Sequence, residues 1–132
     1  MTKFTSPLHK QAEYSSVVWH SSSVYKNIRY AVRRVSLAQR IEMAERVHSL
    51  GSKYEFLKAG DALENAEAHL ADLLVRRLYL QWGLAAIEGL AIDGEKASVE
   101  LLIERGPESL CDEIVSCVRA ELELSEEERK NF

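Results

Sequence analysis

The chain has 132 residues, 46% hydrophobic and 29% charged, a balance ordinary for a globular protein and unlike that of a disordered one. That length fits one domain, able to bury a core without disulfides or a structural metal. No stretch reaches the roughly 18 apolar residues of a membrane span. The first ten residues, with Lys3, Pro7, His9 and Lys10, lack the apolar run of a secretory signal, so a cytoplasmic location is expected.

The net charge of −4 conceals a split. Residues 1–60 hold ten Lys and Arg against four Asp and Glu, whereas residues 61–132 hold seven against seventeen. A basic front and an acidic back can attract each other within one molecule or join copies head to tail. Two cysteines, Cys111 and Cys117, stand six apart on one expected helix, where they point in different directions, and are read as free thiols.

Residues 1–13 read as a polar arm, and residues 14–132 as a single mostly helical domain. Two β-branched and aromatic runs follow the arm, Tyr14–His20 and Val24–Val35, separated by Ser21-Ser22-Ser23. In the second run Ile28, Tyr30 and Val32 alternate with Arg29, Ala31 and Arg33, so one face packs and the other is basic. An antiparallel pair is expected, with the basic strand at an edge. It must lie on helices, since two strands alone are marginal.

Ser36 and Gln39 have the spacing of a capping box that opens a helix. Leu37, Ile41, Ala44, Val47 and His48 form its apolar stripe. Gly51 is a point where it can bend or end, and the apolar pattern continues through Tyr54, Phe56 and Leu57 to a stop at Gly60. Asp61 and Glu64 repeat the capping spacing before the longest helix, expected over 62–88, with its C-terminal end the more buried because Leu74, Leu78 and Trp82 widen its stripe. Gly89 closes that helix. Asp93-Gly94 between Leu90-Ala91-Ile92 and Glu95-Lys96-Ala97 suits a tight hairpin, with a free loop as the competing reading. Ser98 opens a short helix, Gly106-Pro107 separates it from the next, and Ser125 with Glu128 marks a last turn. The fold expected is mainly α, of the α+β class. It has a short N-terminal antiparallel β element, then a body of four to five helices with a small Asp-Gly turn.

The residue chemistry gives no constellation for catalysis. His9, His20, His48 and His69 stand at no metal-ligand spacing from one another or from a cysteine, and His69 with Asp72 is short of a site. The serines at 21–23 lack a G-x-S-x-G elbow. The close carboxylates Glu104 with Glu108 and Asp112 with Glu113 read as solvated charge. No enzyme activity, cofactor or metal is expected.

The basic run Lys26, Arg29, Arg33, Arg34, Arg40 and Arg46, with Tyr25 and Tyr30 interleaved, suits either of two partners. Nucleic acid is the alternative, through phosphate contacts and base stacking. Tyr30 shares the packing face, however, and Glu42 and Glu45 dilute the patch. An acidic protein surface, including the acidic half of another copy, is preferred. Trp19 and Trp82 are the large anchors, core residues by default and interface residues wherever exposed. The candidate protein-contacting residues are therefore Arg29, Arg33, Arg34, Trp19 and Trp82.

The segments Trp82-Gly83-Leu84, Ile87-Glu88-Gly89-Leu90, Ile92-Asp93-Gly94, Leu101–Glu108 and Leu124–Asn131 resemble small proteins encoded among bacteriophage and prophage tail genes. In size and layout the chain is similar to tail assembly chaperones over about residues 14–131. The resemblance implies a non-enzymatic protein, in the host cytoplasm, that binds the tape measure protein and keeps its long apolar helix soluble during tail assembly. It implies no site residue. The chain departs from a flexible apolar binder in having only Met1 and Met43 as methionines.

Overall fold

The computed structural model describes the backbone of residues 11–55 and 61–130, and side chains over 11–51 and 66–123. The arm at 1–10 and the continuation through Phe56 and Leu57 to Gly60 lie outside the described residues, as do the side chains of Asp61, Glu64, Ser125 and Glu128. In chain order the elements are β1 (Val17–Ser21), β2 (Arg29–Arg33), α1 (Leu37–Glu55), α2 (Asp61–Gly83), β3 (Leu84–Glu88), β4 (Ala91–Ile92), β5 (Glu95–Lys96), α3 (Val99–Arg105) and α4 (Glu108–Lys130). The α+β class is as expected. Strands β1, β2 and β3 form one antiparallel sheet in that order, and β4 with β5 forms a small hairpin.

Two expectations are corrected by the third strand. The longest helix ends at Gly83 rather than running to 88, and Leu84–Glu88 is a strand. Strand β2 is consequently central, and its basic residues do not lie on a sheet edge. Leu84-Ala85-Ala86-Ile87-Glu88 has helix-forming residues, but β2 needs a partner on its second side, and tertiary context overrides propensity. Gly83 is buried and lies so close to Val118 of α4 that a side chain there would collide with it. The helix therefore ends where backbone meets α4. The β-branched and aromatic run predicts strand ahead of β2 as well, but Asn27, at φ 68°, turns the chain before Ile28.

Alternation along β2 puts Tyr30 and Val32 on the face toward α4 and Arg29, Ala31 and Arg33 on the other. The core lies between the first face and the helices. Tyr30, Val32, Leu84, Leu102, Leu110, Ile114 and Val118 are its fully covered members. Trp82 is half-buried and packs against this cluster.

Several local signals act as read. Ser36 and Gln39 cap α1 reciprocally, each main-chain N–H donating to the other's side chain at 3.2 Å. The Ser98 hydroxyl accepts from the Leu101 N–H at 3.1 Å, and the Gly106 N–H closes α3 on the Leu102 carbonyl. Asp93 and Gly94, at φ 51° and 82°, make the tight hairpin turn rather than a free loop. Two expected breaks do not occur: α1 runs through Gly51 to Glu55, and α4 runs through Ser125 to Lys130. Neither glycine nor serine interrupts a helix when its neighbours keep the ladder.

Candidate protein-binding surface

Helix α1 is joined to the body through a narrow contact. Met43 is 4% exposed and Leu78 of α2 9%, yet neither belongs to the main core cluster. Val47 and Leu50 are half-buried beside them. Met43, Val47 and Leu50 follow at four and three residues, so they share a helix face.

The stripe read from the sequence as packed is therefore corrected. Leu37, Ile41, Ala44 and His48 recur at four, three and four residues and are all exposed, Leu37 by 71% and Ile41 by 53%. Only Val47 of the expected stripe is on the buried side. Two apolar stripes run side by side on α1, and the one that meets Leu78 packs. Single exposed leucines are normal on a protein surface, whereas Leu37, Ile41 and Ala44 are aligned on one helix face.

The exposed stripe leads into a groove of about 540 Å³ between α1 and α4. Met43, Ala44, Val47, Tyr79 and Leu122 supply its apolar lining, and Arg40, His48 and Glu123 its polar members. The Arg40 guanidinium donates to the Leu122 carbonyl at 3.3 Å, tying α1 to the C-terminal part of α4. Arg119 lies 5.4 Å from the Tyr79 ring centroid, which fixes the ring at the groove. Tyr79, Leu122 and Glu123 were missed in the sequence, because only the folded arrangement of three helices brings them to α1.

The residues chosen from the sequence gather only in part. Trp19 is 39% exposed, and the Arg29 guanidinium sits 4.8 Å from its ring centroid. Arg29 also pairs with Glu88 across the sheet at 3.3 Å. Arg33 is on the same face, and Arg34, beyond the strand end, stacks on Tyr14 at 5.5 Å. Trp82, at the end of α2, is half-buried and packs against the core cluster. Of the remaining basic residues, Arg46 pairs with Glu42 at 2.9 Å along α1. The basic segment 26–46 is thus divided among a sheet face, a strand end and a helix.

A third group of polar residues holds the β1–β2 turn on α4. The Glu113 carboxylate accepts from the Tyr30 hydroxyl at 2.8 Å, the Ser22 hydroxyl at 2.9 Å and the Ser23 N–H at 3.2 Å. The Tyr30 oxygen is also 3.3 Å from the Cys117 sulfur, and His20 stacks on the Tyr30 ring. Partial burial pushes the Glu113 carboxyl up, but the hydrogen bonds from Tyr30, Ser22 and Ser23 outweigh it and hold it below the usual carboxylate range. Burial, then the contacts with Cys117 and Glu113, raises Tyr30 far above an ordinary phenol. Burial, with Asp112 and Glu108 nearby, pushes the Cys111 thiol up. With the Tyr30 phenol held protonated and its hydroxyl donating to Glu113, the group ties the β1–β2 turn to α4 as a clamp.

Among the described residues no group of three or more His, Cys, Asp and Glu is arranged to hold a metal ion, and no helix is long and apolar enough to cross a membrane. No known protein family, curated protein or solved structure matches the chain.

Proposed function

We propose that this protein is a non-enzymatic assembly factor that holds an apolar helix of another protein in the groove between α1 and α4. In phage terms this is the part of a tail assembly chaperone toward its tape measure protein. The observation that carries the reading is the row Leu37, Ile41, Ala44, exposed on α1 and continuous with the groove floor at Met43, Val47 and Leu122. An amphipathic helix presents side chains at the same three- and four-residue spacing, and helix-in-groove binding joins such rows. Arg40, His48 and Glu123 give the groove polar groups of both signs that can orient the guest.

Nucleic acid binding by segment 26–46 is the weaker reading, because Arg29, Arg34 and Arg46 are each engaged by Glu88, Tyr14 or Glu42. Gel retardation with random DNA at low salt separates the two, and retardation that survives Leu37→Asp would favour nucleic acid. The leading reading is tested by co-expression with an aggregation-prone helical tape measure segment. The wild type is expected to keep the segment soluble and the double variant Leu37→Asp, Ile41→Asp to lose most of that effect. A segment that stays insoluble with the wild type, or is rescued equally by the double variant, overturns it.

A further inference from the structure

Arg40 stands where a guest helix has to pass. It follows Leu37 by three residues and precedes Met43 and Ala44 by three and four, so on α1 it lies between the exposed row and the groove floor. Its guanidinium reaches from α1 to the Leu122 carbonyl of α4 at 3.3 Å, and both residues line the groove. A helix that covers Leu37 and Ile41 and also touches Met43, Val47 and Leu122 takes the place of that contact. The loss strands no acceptor on α4. That helix continues to Lys130, so the Leu122 carbonyl keeps its own bond from the main-chain N–H four residues on. It does leave a guanidinium that the guest covers, and a covered charge needs a new partner.

We propose that Arg40 exchanges the Leu122 carbonyl for a carboxylate of the guest, so that the groove selects apolar helices with an acidic residue beside the apolar row. The exchange rests on the helix-in-groove function and names the chemistry of its guest. A carboxylate accepts from a guanidinium more strongly than a carbonyl does, and it offers two oxygens to the planar fork where Leu122 offers one. Arg40 is then a specificity-determining residue: it closes the groove to a helix that brings no acceptor and pairs with one that does.

The two walls differ in charge. The α1 wall brings Arg40, with His48 about two turns further on, whereas the α4 wall brings Glu123. The acidic flank of the guest therefore faces α1, because Glu123 repels it on the other side. Reversing a helix in a groove swaps its flanks, so the same charges set the direction in which the guest lies. The net charge of −4 works against acidic ligands in general, and a preference for one is then local to this site.

Two fluorescent peptides test this: amphipathic helices with leucines at alternating three- and four-residue spacing and, along one flank, either glutamate or glutamine. By anisotropy at low salt the wild type is expected to bind the glutamate peptide about fivefold more tightly. Added salt should shrink that preference. Arg40→Gln should abolish it without weakening the glutamine peptide, and Arg40→Lys should keep part of it. Arg46→Gln makes the same change of charge on the other side of α1, where Arg46 pairs with Glu42 beside a separate cavity, and should leave the preference intact. Equal binding of the two peptides by the wild type overturns the exchange and leaves the groove function standing. So does a preference that survives Arg40→Gln, or one that Arg46→Gln abolishes equally. Weaker binding of the glutamine peptide by Arg40→Gln, with circular dichroism unchanged, makes Arg40 a support of the groove wall and also overturns the exchange. Binding of neither peptide by the wild type removes the groove function itself and the exchange with it.

Discussion

The sheet side and the α1 side of this molecule are held in different ways. On the sheet side β2 lies against α4 with Tyr30, Val32, Ile114 and Val118 fully covered, and Glu113 clamps the β1–β2 turn from above. On the α1 side one buried methionine meets one leucine, and the better-ordered apolar row faces water. Burial there stabilises little, since a row left exposed contributes nothing at about 25 cal/mol per Å² of apolar surface removed from water. The difference teaches that α4 and the sheet define the fold, whereas α1 presents a surface.

The sharpest way to break that comparison is to damage the sheet side and look for global loss. Gly89 has φ 86°, and a side chain there would run into the Asn27 carbonyl oxygen. Gly89→Ala is expected to lose more than about 3 kcal/mol, from both backbone strain and the collision. Ile114→Ala, at a site 0% exposed, should lose about 3–4 kcal/mol. Urea unfolding followed by circular dichroism measures both. A loss under about 1 kcal/mol in either would show that the sheet side is not the stable part.

Met43→Ala sharpens the contrast on the other side. It removes the main buried contact of α1, with an expected loss of about 2 kcal/mol. Amide exchange should speed up along α1 while protection in β2 and α4 is retained, as for a locally opening unit. Equal acceleration throughout would join α1 to the same cooperative unit as the sheet.

The clamp has a signed pH dependence. Glu113 ionises more readily in the folded protein than its ordinary value of 4.5, so it contributes stability that is present above that value. The contribution is lost as pH falls below 4.5 and through the folded value. Glu113→Gln keeps the shape and removes the charge. Because the carboxylate is partly in water, the loss at neutral pH should be only about 1–2 kcal/mol. The variant's stability should also fall less steeply than that of the wild type below pH 4.5, when unfolding is measured at a series of pH values. Parallel curves would remove Glu113 as the source of that slope.

What was legible in the sequence was local. The Ser36–Gln39 box, the Ser98 cap and the Asp93-Gly94 turn depend on contacts within a few residues, and each forms as its spacing says. What was not legible depends on distant partners. Leu84–Glu88 continues a helical pattern, and only the unpaired side of β2, more than fifty residues earlier in the chain, makes it a strand. The basic strand was recognised, but its central position follows from that same pairing. On α1 the periodicity was visible, but two parallel stripes carry it, and a sequence does not say which one meets α2. Glu113 read as solvated charge because its acidic neighbours gave no sign of Ser22 and Tyr30 folding onto it.

The smallest expected effect on stability is also the one that bears most on function. Leu37 and Ile41 bury little, so Leu37→Ser and Ile41→Ser should change unfolding free energy by no more than about 0.5 kcal/mol each. A guest helix that covers them would desolvate both side chains, and a fully buried Leu or Ile is worth about 1.5–3 kcal/mol. The same substitutions should therefore weaken binding of an apolar helical segment by tenfold or more per site, measured by fluorescence anisotropy of a labelled segment. Ile114→Ala should show the reverse pattern, losing stability before it alters the groove. If Leu37→Ser and Ile41→Ser leave both stability and segment binding unchanged, the exposed row on α1 is surface without a partner, and the contrast between the two sides reduces to one of packing alone.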